Sequence, residues 1–445
     1  MKDTIAIANS SLPMQGGMEG LNSSLPMQGG KEGINKSLPM QGGLEGLFFE
    51  LLQIAIGNRK ELTRPLTDEE WESMYGICEK QALLGIAFAG VEKLPKEQYP
   101  PFDVLAEWVH DAQVAKDRNK RLNEECEALT RRLERDDFGS CILKGQSNQV
   151  NYPEHLRDYR TAGDIDVWLM PKGKETLSLN RRRRAIMKYV MAKVGDQRVI
   201  YHHVDFPVMN TEVEIHFTPS WMKSPFHNRR MQKYFEREWN NIEKTDYGFY
   251  IPSVSLNVVY QLTHIYRHLF NEGIGLRQII DYYFVLQKVR DERLEVCRPP
   301  QSHCVGGEDR ENRLEVRDEC LKQIERLGLK TFASAVMWVI QEVLDPKESS
   351  SQTDTDWKER WPWMICKPNE NAGRFLLSEI LQAGNFGRYD ERANGEYNTG
   401  TLSHTIYKIK RNIRLFVNFP SEVLWAEYFF VLQNYGFWRM GLKNS

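Results

Sequence analysis

Arg160-Thr-Ala-Gly-Asp-Ile-Asp-Val-Trp-Leu-Met170 is an apolar run, read as a strand, that carries two carboxylates, Asp164 and Asp166, two residues apart. Side chains at i and i+2 of a strand point to the same face, so both carboxylates are expected to converge on one point. That is the outline of a Mg²⁺ site. With Leu143-Lys-Gly145 upstream and Val213-Glu-Ile-His216 downstream, the pattern points to metal-dependent chemistry of the phosphoryl-transfer type.

Further strand signals lie around this run. Cys141–Lys144 reads as a short strand, Arg198–Met209 and Glu212–Phe217 as two more, and Lys174–Val194 as a helix between them. If Asn210-Thr211 is the turn, antiparallel pairing sets Val208 opposite Val213, Phe206 opposite Ile215 and Val204 opposite Phe217. One face is then apolar. The other carries His203, Asp205, Glu212, Glu214 and His216. Glu214 added to Asp164 and Asp166 makes three carboxylates, enough to hold Mg²⁺, or Mn²⁺ in its place, because such ions take carboxylate and phosphate oxygens together. Lys144 and Gly145, at the end of the preceding strand, are placed to lay an ammonium and backbone N–H groups against a triphosphate. Arg160 is a candidate phosphate partner or a buttress for the acids.

Helical patterns flank the strands. Leu47–Ile56 opens an amphipathic segment, Thr67-Asp-Glu-Glu70 reads as a capping box ahead of Trp71, and a long helix is expected from Phe102 to Leu133. From Leu256 the pattern is helical again, interrupted by polar inserts at 291–319 and 346–356, with an aromatic amphipathic stretch from His404 to Phe437. The first insert holds an echo, Arg293-Leu-Glu-Val296 and Arg313-Leu-Glu-Val316. Residues 9–47 are three copies of a 13-residue unit that begins at Asn9, Asn22 and Asn35. The copies are rich in glycine and poor in apolar residues, so a tail without a core of its own is expected. The divisions are therefore 1–46 repeats, 47–136 helical region, 137–252 core with the acids, and 253–445 helical region.

Here several motifs coincide in order and spacing. Ile142-Leu-Lys-Gly145, Tyr152-Pro153, Arg160, Gly163-Asp-Ile-Asp166, Val213-Glu-Ile-His216, His264, His268 and Gly275-Leu-Arg-Gln-Ile-Ile-Asp281 together resemble the uncharacterised bacterial nucleotidyltransferase family of the DNA polymerase β-like superfamily. The resemblance covers roughly 48–440 and implies an α+β fold, a nucleotidyltransferase core with a short mixed sheet embedded between helical regions. It also implies transfer of a nucleoside monophosphate from an NTP donor, with Mg²⁺, to a hydroxyl-bearing acceptor that it does not reveal. Asp164 and Asp166 match the superfamily's metal-binding pair and Glu214 its third carboxylate. A Gly-Ser turn usually stands about ten residues before the acidic pair; here Lys144-Gly145-Gln-Ser147 stands about twenty before it. The third acid is Glu rather than the commoner Asp.

Simpler readings stand beside these. His264 and His268 share a helix face and fit core or supporting positions better than a zinc site. Arg277 and Asp281, at the same spacing, suggest an ion pair. Arg181-Arg-Arg-Arg184 reads as a solvated helix face, or as an attractor for an anionic acceptor or RNA. A non-catalytic nucleotide-sensing or antitoxin-like interaction protein is the alternative to an enzyme. A hydrolase is weaker, because no metal-ligating histidine cluster is evident.

Composition narrows the classes further. The chain of 445 residues is 41% hydrophobic, enough for real cores. Its net charge of −2 supplies no general basic field for DNA. No apolar run approaches the length a spanning helix needs, and no targeting segment is evident, so a soluble cytoplasmic protein is expected. Seven cysteines, mostly isolated, do not form a disulfide framework, and Cys297 and Cys304 with His303 read as surface thiols.

Overall fold

The structure is a computed structural model that describes residues 43–173, 175, 177–296, 308–346, 361–390, 392, 410–420 and 423–425. Most of the repeats, the Cys297/His303/Cys304 group, most of the 346–356 insert and most of the 404–437 stretch lie outside the described residues.

Four strands form one mixed sheet: β1 (Phe138–Leu143), β2 (Ile165–Pro171), β3 (His203–Asp205) and β4 (Val213–His216), in the order β1-β2-β4-β3. β1 runs antiparallel to β2, β2 parallel to β4, and β3 antiparallel to β4. A parallel pair needs a crossover. Helix α7 (Leu179–Val194) lies on the chain between β2 and β4 and packs on β2. The β3–β4 register differs from expectation by two residues: Val204 faces Ile215, and Asp205 faces Glu214. Pro207 is the physical reason. It has no N–H to give to a ladder, so the strand stops at Asp205 and a longer loop replaces the two-residue turn. A shift of two preserves which side chains share a face.

The apolar face is covered by α7 and by the 34-residue helix α4 (Phe102–Arg135). Leu122, Cys126, Leu129 and Leu133 of α4 and Ile186 and Val190 of α7 pack on Ile142, Val167, Val204, Val213 and Ile215. Each buried aliphatic chain contributes about 1.5–3 kcal/mol. The opposite face meets α8 (Pro225–Glu238), backed by α9 (Val254–Asn271): Trp168 of β2 lies 6.4 Å from Phe235 of α8 and meets Trp239, just past α8, edge-on at 4.7 Å, and Phe235 lies 6.5 Å from Tyr260 of α9.

Other helices are α1 (Leu44–Ile56), α2 (Asp68–Lys80), α3 (Leu84–Val91), the short α5 (Gly145–Gln149) and α6 (Glu154–Arg157), then α10 (Leu276–Val296), α11 (Glu308–Arg326), α12 (Lys330–Leu344) and α13 (Glu370–Ala383). Helix α1 starts at Leu44, so the end of the third repeat copy is helical. Thr67 and Glu70 form the capping box as expected, worth about 1 kcal/mol. The Arg-Leu-Glu-Val copies both fall in helix, one ending α10 and the other within α11. The helical regions before and after the sheet touch directly. Gln53 of α1 donates to the Val343 carbonyl of α12 at 3.0 Å, and Gln81 to the Ile380 carbonyl of α13 at 3.2 Å.

Candidate active site

The polar side chains on the α9-facing side of the sheet fall in two rows across it. Asp166, Glu214 and Asp205 are lateral neighbours on β2, β4 and β3, and one step along lie Trp168, His216 and His203. The rows touch one another. His216 Nε2 lies 2.7 Å from Asp166 Oδ1 and 3.5 Å from Glu214 Oε2, and His203 Nδ1 lies 3.0 Å from the same Glu214 oxygen. Lys144 Nζ contacts Asp166 Oδ1 at 2.8 Å.

Asp166 is 1% exposed and still ionised in character. Burial alone would raise its pKa, but the Lys144 ammonium and the hydrogen bond from His216 hold it well below the usual carboxylate range. Lys144 and His216 respond in kind. Burial opposes the charge of each, and the carboxylates around them outweigh it, so both are pushed up. Asp164 behaves the other way: the like charge of Asp166, then burial, raises its pKa. His203 is driven down to about 3 by burial and by neighbouring His216, so it is a neutral imidazole.

The residues singled out in the sequence are placed as follows. Asp166 and Glu214 are brought together, and with His216 they offer ligand atoms within 4.8 Å of one another. Asp164 immediately precedes β2 and is not one of that trio, although it lies within electrostatic reach of Asp166, Lys144 and Glu214. Lys144 sits between β1 and α5 with φ 50° and ψ −150°, a region that favours glycine, and Gly145 follows at φ 38°. The ammonium of Lys144 therefore rests on an acid rather than in open solvent. Arg160 turns away from the acids and closes on Asp281 of α10. The expected Arg277–Asp281 pair is accordingly replaced: Arg160 takes the carboxylate, and Arg277 donates to the Thr161 carbonyl at 3.1 Å.

Two other expectations change. Within Arg181–Arg184 the middle pair is buried: Arg182 bonds Glu236 at 2.6 Å, and Arg183 donates to the Tyr201 carbonyl at 2.7 Å and lies over Phe217. These arginines tie α7 to its neighbours and do not form a solvated run. A histidine cluster also exists, contrary to the argument that set the hydrolase aside. His202, His203 and His216 bring ring nitrogens within 4.8 Å. The sequence put His203 and His216 on the acid-bearing face but gave no reason to add His202, whose ring is held by Trp221 and Arg267. His264 and His268 lie together on α9. Their rings are 4.3 Å apart beside Arg267, and His268 pairs with Glu272 at 3.0 Å.

Beside Asp164 opens a cavity of about 550 Å³, lined by Arg118, Arg121 and Glu125 of α4 and by Asn210, Thr211 and Glu212 of the β3–β4 loop. Its size suits a small-molecule ligand, and it offers both charge signs.

A four-stranded mixed sheet with carboxylates paired across parallel neighbours, set among helices, is a nucleotidyltransferase-like domain. The model of a family described as an uncharacterised nucleotidyltransferase matches residues 67–295, just over half of the chain, and the chain belongs to that family. No curated protein and no solved structure matches it. Among the described residues no helix is long and apolar enough to cross a membrane.

Proposed function

We propose that this chain transfers a nucleoside monophosphate from an NTP to a hydroxyl-bearing acceptor, releasing pyrophosphate, with Asp164, Asp166 and Glu214 holding Mg²⁺ or Mn²⁺. The observation that carries the reading is the lateral pairing of Asp166 with Glu214 on the parallel strands β2 and β4. The donor set fits a divalent ion. The carboxylate oxygens of Asp166 and Glu214 converge, and Asp164 lies within electrostatic reach of both, an oxygen-rich set of the kind Mg²⁺ or Mn²⁺ takes. When bound, such an ion supplies charge neutralisation at the phosphates and at the leaving pyrophosphate.

The chain's own groups supply the rest. Glu214, one-fifth exposed, is the acid best placed to orient an acceptor hydroxyl or take its proton. Lys144 brings a fixed positive charge to the phosphate end, and Gly145 leaves the turn free of a side chain where the triphosphate backbone would approach. Arg160 acts from behind by fixing the segment that leads into Asp164 through its ion pair with Asp281. Catalysis of this kind is positioning and electrostatics, so the rigidity of β2 and β4 matters as much as the acids.

Thermal stabilisation by ATP, GTP, CTP and UTP, each with and without Mg²⁺, tests the donor site. A ligand at 100 times its Kd adds about 2.7 kcal/mol. A Mg²⁺-dependent shift with one nucleotide, absent in the Asp164→Ala/Asp166→Ala protein, supports the reading. One observation favours the rival, a non-catalytic nucleotide-sensing or antitoxin-like protein: Lys144 already neutralises Asp166 without a metal. A nucleotide shift indifferent to Mg²⁺ and to the acids, or no shift at all, favours that rival.

A further inference from the structure

We propose that His203, Asp205 and Glu214 form a second divalent-cation site that selects imidazole-preferring first-row transition ions, of the Co²⁺ and Zn²⁺ kind, over Mg²⁺. Glu214 is shared with the candidate catalytic acids, so the site deepens the reading above and rests on it for its place in catalysis.

His203 is the reason for looking here. It is 5% exposed, yet neither ring nitrogen has a hydrogen-bond partner among the described residues. Its Nδ1 nevertheless stands 3.0 Å from Glu214 Oε2, close without the alignment of a hydrogen bond. Two ligands in adjacent positions on an octahedral ion, each about 2.1 Å from the metal, are separated by about 3.0 Å. Around a tetrahedral ion with bonds of about 2.0 Å the separation is about 3.3 Å. The observed spacing fits two atoms sharing a cation and, without hydrogen-bond alignment, leaves room for one. Buried imidazole nitrogens are rarely left unpartnered, since burial strips their water.

Of the neighbouring rings, His202 is engaged at both nitrogens and His216 at one, its Nδ1 having no hydrogen-bond partner among the described residues. His202 meets Trp221 through Nδ1 at 3.2 Å and Arg267 through Nε2 at 2.5 Å. His216 is bonded to Asp166 at 2.7 Å, and Lys144 occupies the same carboxylate. What remains is the trio His203, Asp205 and Glu214, whose ligand atoms lie within 4.8 Å of one another. Asp205 pairs with Arg198 at 3.0 Å, but the Arg198 side chain is 56% exposed and can swing into solvent. One imidazole with two carboxylates is a donor set for first-row transition ions, whereas Mg²⁺ is held by oxygen.

The test uses the full chain, stripped with a chelator and free of nucleotide. Co²⁺ binding is followed by visible absorption, and Mn²⁺, Zn²⁺ and Mg²⁺ by calorimetry. Wild type should bind Co²⁺ or Zn²⁺ at least about tenfold more tightly than Mg²⁺. His203→Asn should weaken Co²⁺ about tenfold or more and alter its spectrum. Should that buried substitution fail to fold, Asp205→Asn, on a partly exposed residue, should give the same loss of affinity and decides the matter. Equal affinity for Mg²⁺ and Co²⁺ overturns the proposal. So does a Co²⁺ affinity lost in Asp164→Asn but unchanged in the His203 and Asp205 variants, which assigns the ion to the carboxylates alone. Because no nucleotide is present, a chain that binds Co²⁺ through His203 yet is unmoved by every NTP loses the transferase reading and keeps the site.

Discussion

Arg160 closes its guanidinium fork on Asp281, with Nε 2.7 Å from one carboxylate oxygen and an Nη 2.8 Å from the other, across 121 residues of sequence. Tyr152 adds its hydroxyl to the same carboxylate at 2.7 Å. All three groups are buried, and the Arg160 carbonyl is itself held by Asn119 of α4 at 2.7 Å. The segment that delivers Asp164 and β2 to the site is thus pinned from both sides, to α4 and to α10. A bidentate pair fixes orientation as well as distance.

Removing one partner of such a pair leaves the other charge buried and uncompensated. Asp281→Ala is expected to cost about 3–5 kcal/mol, with a Tm lower by many degrees in scanning calorimetry. Asp281→Asn, which keeps the shape and part of the hydrogen bonding, should cost less. A loss below about 1 kcal/mol for the alanine variant would mean that the fork contributes little to the fold.

The same carboxylate sets a pH dependence. Burial alone would raise the Asp281 pKa, but Arg160, then Arg277 and the Tyr152 hydroxyl, bring it below the usual carboxylate value. A folded-state pKa below the unfolded one means that the unfolded chain binds more protons in between. The contribution to stability is then fully present above the unfolded value of about 3.9 and is lost as pH falls through the folded one. The gap in unfolding free energy between wild type and Asp281→Asn should therefore stay constant from pH 7 to 5 and narrow at more acid pH. Urea titrations at a series of pH values measure it.

The sheet and its two faces were legible because strand alternation and apolar runs are local signals. Val204, Phe206, Val213 and Ile215 reached the core as their spacing implied, even though Pro207 moved the register by two. Asp166 and Glu214 met for the same reason. What the sequence could not show was which distant groups would approach the acids. Lys144, read as a phosphate ligand, also lays its ammonium on Asp166, and Arg160, read as a phosphate partner or a buttress for the acids, pairs with Asp281. Cations on loops are long enough to choose among several carboxylates, and the choice depends on packing of α9 and α10, far along the chain. His202 and Arg267 were invisible on the same grounds.

Lys144 also stores backbone strain, at φ 50° and ψ −150°. Lys144→Gly and Lys144→Ala both remove the ammonium from Asp166, but only glycine relaxes that conformation. The glycine variant should be the more stable of the two by about 1 kcal/mol, reversing the usual order at positions of ordinary backbone geometry. Chemical denaturation of the pair measures the difference. Equal stabilities, or a more stable alanine variant, would show that the turn relaxes to accommodate a Cβ.

Asp164 and Asp166 should answer asparagine substitution in opposite directions. Asp166 is the counter-charge for Lys144 and the hydrogen-bond partner of His216, so Asp166→Asn leaves the half-buried Lys144 ammonium uncompensated and is expected to destabilise the protein by about 3 kcal/mol. Asp164 carries a pKa raised by the like charge of Asp166 and by burial, so its ionisation works against folding. For a carboxyl with a raised folded-state pKa, stability falls as pH rises from the unfolded value through the folded one, and at neutral pH the cost is fully present. Asp164→Asn should therefore stabilise the nucleotide-free protein, by up to about 1 kcal/mol, as substitutions at strained functional sites often do. Both variants should abolish Mg²⁺-dependent stabilisation by NTP. A stabilised Asp164→Asn protein that no longer responds to Mg²⁺ and nucleotide would mark Asp164 as an acid retained for ligand at the expense of the fold. A destabilised one would place it among the structural carboxylates instead.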